Sequence, residues 1–115
     1  MKIERKIIEK IAEEIALSLG KSEKWKERII RRVIEGTIIR IIPERLWIVK
    51  GLPHLGDRYP SYEIYRKDKR YICTCYTHPW SSRRRPCTHV GAVLLYENMI
   101  KILNMEPGPG FEPGK

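Results

Sequence analysis

Cys73 and Cys75 have one residue between them, and after eleven intervening residues come Cys87 and His89, again with one residue between them. Thiolates and a neutral imidazole are the donors a borderline-soft divalent ion prefers, and four of them close a tetrahedral site with no position left for a substrate. The two pairs must reach that site differently. Side chains alternate along a strand, so Cys73 and Cys75 are expected on one face of a β-hairpin. An i, i+2 pair diverges on a regular helix. Cys87 and His89 are therefore expected where the chain enters a helix, with Cys87 near the cap and His89 in the first turn. The pattern predicts one structural Zn2+ ion held by Cys73, Cys75, Cys87 and His89.

The competing readings are weaker. His78 is a rival ligand three residues after Cys75, but a loop histidine is more often solvated or hydrogen-bonded. His54 has no partner pattern. A catalytic thiol at Cys87 would need an orienting group beyond its neighbouring histidine, and a thiolate held by zinc is not a free nucleophile. Three buried structural cysteines with a chance histidine would leave the matched halves unexplained.

Elements that can position these ligands follow from the rest of the chain. Its 115 residues, 42% apolar, make one domain's worth of protein. A core this small gains from a metal staple. Three cysteines, an odd count, argue against a disulfide framework. Ile3, Ile7, Ile8, Ile11, Ile15 and Leu19 recur at helical spacing before Gly20, predicting an amphipathic helix over 2–19. Ser22 is an N-cap for a second helix with Trp25, Ile29, Ile30, Val33 and Ile34 along one side, closed by Gly36. The short join predicts an antiparallel helical hairpin.

β-Branched runs then predict strands at 37–42 and 46–49, broken at Pro43 and Glu44. An irregular connection follows, through Gly51, Pro53, Gly56, Asp57 and Pro60. Strands at 62–66 and 70–75, turning at 67–69, end in the cysteine pair. A third helix is expected to begin near Pro86, with Val90, Val93, Leu94, Ile100 and Leu103 inward. The fold class is α+β: a helical hairpin over 1–36, a short antiparallel β-meander, then a β-hairpin and helix clamped by zinc. The Pro- and Gly-rich tail over 105–115 is expected to be flexible.

Charge and composition restrict function. A net charge of +9 and a pI near 9.7 suit a polyanionic partner, most simply nucleic acid, with DNA first. No apolar run reaches membrane-spanning length and no signal-peptide stretch opens the chain, so a soluble, cytoplasmic protein without a membrane partner is expected. Heavy use of Ile, Lys, Arg and Glu, no Gln, and Asn only at Asn98 and Asn104 are the composition of a hyperthermophile protein.

Arg83, Arg84 and Arg85, beside Trp80, form the sharpest basic cluster, inside the loop that the ligands tie at both ends. Guanidinium groups next to an aromatic ring suit phosphate contact with base stacking. Arg66, Lys67, Lys69 and Arg70 at the hairpin turn extend that surface. Alternatively these are solubilising charges, with Trp80 packed over the zinc site. Lys26, Arg28, Arg31 and Arg32 are expected around the outer half of the second helix, spread too widely for a recognition helix. Residues 1–36 are a candidate surface for a protein partner or a homo-oligomer, unless their isoleucine stripe simply packs on the second helix and sheet.

These residues resemble the SWIM zinc-finger family, whose pattern is C-x-C, a variable spacer, then C-x-H. The resemblance spans roughly 46–104. Tyr62-Glu-Ile-Tyr is similar to the family's strand before the cysteines, and Pro86-Cys-Thr-His-Val-Gly-Ala-Val-Leu-Leu to its P-C-K-H-ϕ-x-A-ϕ stretch, with Thr88 where a lysine is frequent. The resemblance makes 37–104 a SWIM module and implies an interaction domain. Relatives are attached to chromatin-remodelling ATPases, Mutator-type transposases and ubiquitin ligases, or pair with RecA-family recombinase paralogues. DNA binding in regulation, repair or recombination is the first expectation. A protein adaptor, such as an accessory subunit of a recombinase-paralogue complex, or a homodimeric scaffold is the alternative. With no P-loop and no paired carboxylates, the chain is expected not to be an enzyme.

Overall fold

The computed structural model describes residues 4–77 and 85–105. The first two helices are α1 (Arg5–Ser18) and α2 (Glu23–Ile34). Gly20 and Gly36 follow them with φ of 65° and 70°, a left-handed conformation that favours glycine. Ser22 caps α2, its hydroxyl accepting from the Trp25 N–H at 3.2 Å. On α1 the buried residues are Ile8, Ile11, Ala12 and Ala16, while Ile7 and Leu19 of the expected stripe are partly exposed. Residues 1–3 and 106–115, with the start of that stripe and the expected tail, lie outside the described residues.

Four strands follow, β1 (Ile38–Ile42), β2 (Leu46–Lys50), β3 (Ser61–Lys67) and β4 (Arg70–Cys73), in an antiparallel sheet ordered β1-β2-β3-β4. The register pairs Ile38 with Val49, Trp47 with Ile64, and Ile64 with Cys73. Alternation sends Trp47, Val49, Tyr62, Ile64 and Cys73 into the core and leaves Ile39 and Tyr65 exposed on the other face. Asp68, at φ 59°, makes the tight turn between β3 and β4.

The last helix, α3 (Thr88–Met105), packs against α1, α2 and the sheet. One hydrophobic cluster includes Ile11, Ile29, Trp47, Ile64, Val93 and Leu95. At Gly91 the approach to α2 is close: a Cβ there would meet the Trp25 ring at 2.5 Å and Ile29 at 2.7 Å. On the opposite side Glu97 receives Arg40 at 2.6 and 3.0 Å and the Trp47 indole at 2.8 Å, tying α3 to β1 and β2. The fold is thus α+β, three helices and a four-stranded sheet. No helix among the described residues is long and apolar enough to cross a membrane.

Two local expectations need correction, and one about the last helix is met. The last strand ends at Cys73, and Thr74–Thr77 form a 3-10 turn. The turn is held by the Cys75 N–H on Cys73 Sγ at 3.4 Å and by the Glu63 N–H on Thr74 Oγ1 at 3.2 Å. The last helix begins near Pro86 as expected, with Cys87 supplying the first carbonyl, which accepts from the Gly91 N–H at 2.9 Å. Finally, Arg32 is not on the outer half of α2; it is 1% exposed.

Candidate metal centre

Each member of the cysteine–histidine group is set by a different local device. Cys73 is the last residue of β4, its position fixed by pairing with Ile64. Cys75 comes back towards it through the 3-10 turn rather than by strand alternation. Cys87 precedes α3, and its N–H donates to the Tyr76 hydroxyl at 3.1 Å. His89 lies in the first helical turn. The chain before Cys87 is held by α2 and the turn before it: the Trp25 indole donates to the Pro86 carbonyl and the Lys21 ammonium to the Arg85 carbonyl, both at 3.1 Å.

These devices bring one donor atom from each residue to within 4.8 Å of the others. His89 Nδ1 is 3.7 Å from both Cys73 Sγ and Cys87 Sγ. Cys73, Cys87 and His89 are buried and Cys75 half-buried. The four could hold a metal ion, and they are the one such group among the described residues.

A polar network stands behind them. His89 Nε2 lies 3.0 Å from Asp57 Oδ1. An ionised carboxylate only accepts, so Nε2 carries a proton, and Nδ1 is the atom that faces the sulfurs and would donate to a metal. Asp57 also takes a bidentate pair from Arg32, at 2.6 and 3.0 Å, and the Leu52 N–H at 2.7 Å. Arg32 Nε reaches Thr88 Oγ1 at 3.1 Å, between the two ligands of the helix start. The Tyr62 ring stacks on His89, centroids 3.9 Å apart, and its hydroxyl accepts the N–H groups of Arg58 and Tyr59.

The electrostatics follow from this crowding. Burial disfavours the Asp57 carboxylate, but His89, Arg32 and the Leu52 N–H outweigh it and hold its pKa well below the usual range. Burial likewise opposes a charged His89, yet Asp57 and the sulfurs of Cys75 and Cys87 raise its pKa to about 10. Hydrogen bonds with Cys75 and Cys87, and then burial, push the Cys73 thiol far up. Burial also works against a thiolate at Cys87, but hydrogen bonds from Cys73 and Cys75 overcome it and bring its pKa down. Among the protein groups alone, Cys73 thus holds its proton while Cys87 is pressed to give one up beside a His89 that is pressed to keep one. A divalent cation would replace those protons and draw charge from all three sulfurs.

The other expected site residues are distributed differently. His54 accepts no role near the cluster; it meets Glu35 at 3.0 Å on the surface. Arg66, Lys67, Lys69 and Arg70 are exposed at the β3–β4 tip. Arg85 is occupied structurally, donating to the Tyr76 carbonyl at 2.8 Å with its guanidinium 4.3 Å over the Tyr76 ring. His78, Trp80, Arg83 and Arg84 lie outside the described residues. Asp57, Arg32 and Tyr62 were missed as supports of the site. Arg32 alone had a signal, since Trp25, Ile29 and Arg32 are spaced i, i+4, i+7 on one helical face. No family model, curated protein or solved structure matches this chain.

Proposed function

We propose that the Cys73, Cys75, Cys87 and His89 cluster holds one structural zinc ion, and that β3, β4 and α3 around it form a SWIM-type ββα module. The module binds nucleic acid, DNA in the first place, through its basic surface. The equal sulfur–nitrogen spacing carries the zinc reading. A tetrahedron with Zn–S of about 2.3 Å and Zn–N of about 2.0 Å has S···N edges of about 3.5 Å, against 3.7 Å on the His89 edges to Cys73 and Cys87. Three sulfurs and one imidazole suit zinc chemically, and a closed donor set suits a structural role. Native mass spectrometry should find one zinc per chain, and Cys87→Ser should lose it. Full zinc occupancy in that variant would mean that the ligands are wrongly assigned.

The nucleic-acid reading rests on the +9 charge and on the four exposed cations at the β3–β4 tip, to which the sequence adds Arg83 and Arg84. Affinity should fall steeply with salt, and each lost phosphate contact should reduce the slope by about one. The combined variant Lys67→Ala, Lys69→Ala, Arg83→Ala, Arg84→Ala leaves the Arg85–Tyr76 contact intact. Unchanged affinity and salt slope in that variant would remove the proposed surface.

A further inference from the structure

The last helix packs on all four strands from the side to which Trp47, Val49, Tyr62, Ile64 and Cys73 point. The opposite face has no helix over it among the described residues. Ile39 is 40% exposed there, Ile42 47% and Tyr65 42%, with Leu46, Ile48 and Ile72 half-buried among them. The register makes these six side chains cross-strand neighbours, Ile39 beside Ile48, Ile42 beside Leu46, and Leu46, Tyr65 and Ile72 in one row.

An antiparallel sheet with one face in water alternates apolar inward and polar outward. The first two strands break that rule, since Ile38 and Ile39, and Leu46 to Val49, are apolar on both faces. Such runs belong to strands buried on both sides. In a chain that is 32% charged, six apolar neighbours with no charge among them mark a surface made to be covered.

Charge and area point to what covers it. Alternation along the strands places Lys50 and Glu63 at one end of this face and Lys67 and Arg70 at the other. The centre is neutral although the chain carries +9, so two copies can approach through it with little repulsion. A twofold axis across the strands turns one copy end for end. It brings the Lys67 and Arg70 end of each over the Glu63 end of the other and keeps the two basic tips apart. Strands of about five residues at ~3.4 Å, four of them at ~4.8 Å spacing, make a face of roughly 17 by 19 Å. Two such faces, with their side-chain relief, bury on the order of 1,000 Å² together, where specific interfaces begin.

We propose that the chain forms a homodimer in which the outer faces of two sheets pack as an aligned sandwich, with Ile39, Ile48 and Tyr65 at its centre. The helices and the cysteine–histidine cluster lie on the outside of that dimer, and the hairpin tips at its opposite ends.

The test is analytical ultracentrifugation of zinc-loaded full-length protein over a wide range of concentration and salt. Wild type should pass from monomer to dimer as concentration rises. Added salt should tighten the dimer, because it screens the repulsion of two +9 chains and leaves apolar contact intact. Ile39→Lys and Tyr65→Lys, both at exposed positions, should each keep the zinc and the melting temperature and weaken dimerisation about tenfold or more. Leu17→Lys on α1, at a position 70% exposed, should dimerise as wild type does. A wild-type monomer at every concentration would overturn the proposal, whether another protein or the segment over 106–115 covers the face. Dimerisation lost in Leu17→Lys but kept in both face variants would also overturn it and move the interface to the helices. A dimer that dissolves as salt rises would be held by ion pairs, which would equally overturn the apolar face.

Discussion

Asp57 presents the His89 lone pair while neutralising Arg32, a side chain only 1% exposed. Asp57→Asn keeps the acceptor oxygen but removes the charge, so its two effects separate by measurement. Metal affinity should fall by about 10–100-fold in chelator competition, as for other carboxylates that orient a ligating imidazole. Stability should fall by about 3–5 kcal/mol in denaturant titration, because Arg32 is left as a buried charge without its counter-ion. Wild-type affinity and stability together would mean that the network is dispensable. The four clustered donors were legible in the sequence, since their types are diagnostic and each pair is local. Asp57 was not, because a Gly-Asp step in a loop acquires its role only when the loop folds back onto α3. Arg32 was legible by position and misread by type: the helical face through Trp25 and Ile29 includes it, although arginine is rarely buried.

Among the elements, α3 carries the most constraints. Its expected inner side was a single stripe, but Ala92 and Leu95 are also fully buried. The helix is covered by α1 and α2 on one side and by the sheet on the other, so its buried arc is wider than an amphipathic pattern shows. Gly91→Ala should cost about 1–3 kcal/mol by overpacking against Trp25. Alanine's helix propensity returns about 1 kcal/mol, and the ring cannot retreat freely while its N–H holds the Pro86 carbonyl. A net loss of stability is expected in thermal melts; a melting temperature at or above wild type would show that the ring yields. Glu97 gives a pH prediction on the opposite face. Burial would raise its pKa, but Arg40 and Trp47 lower it, helped by Lys101. A depressed folded-state pKa contributes stability above the unfolded value of about 4.3, lost as pH falls through the folded value. Glu97→Gln should therefore be less stable than wild type by about 1–2 kcal/mol at neutral pH, with the gap closing below about pH 4. A constant gap from pH 7 to pH 3 would refute it. The helices and strands were readable from period and glycine stops, whereas the end of β4 was not, because bonds to Cys73 Sγ and Thr74 Oγ1 decide it.

At the scale of the molecule, the cluster joins residues that are separated in sequence and belong to different layers. Cys73 and Cys75 close the sheet, Cys87 and His89 open the last helix, and Asp57 with Arg32 extends the tie to the 51–60 loop and α2. All these parts share one small core, so the ion should stabilise the whole fold rather than one loop. Without it, three sulfurs and an imidazole remain buried with only protons to share, which favours unfolding. With free zinc at about 1,000 times its dissociation constant, linkage contributes about 4 kcal/mol. For a domain of this size that corresponds to a melting temperature higher by roughly 15–30 °C. A chelator strong enough to strip the ion, verified by elemental analysis, should lower melting by that amount. It should also lower the far-UV helix signal and the near-UV signal of Trp25 and Trp47 in a single transition, since α2, α3 and β2 depend on the same core. Loss of the ion with melting unchanged would reduce the centre to a local clip.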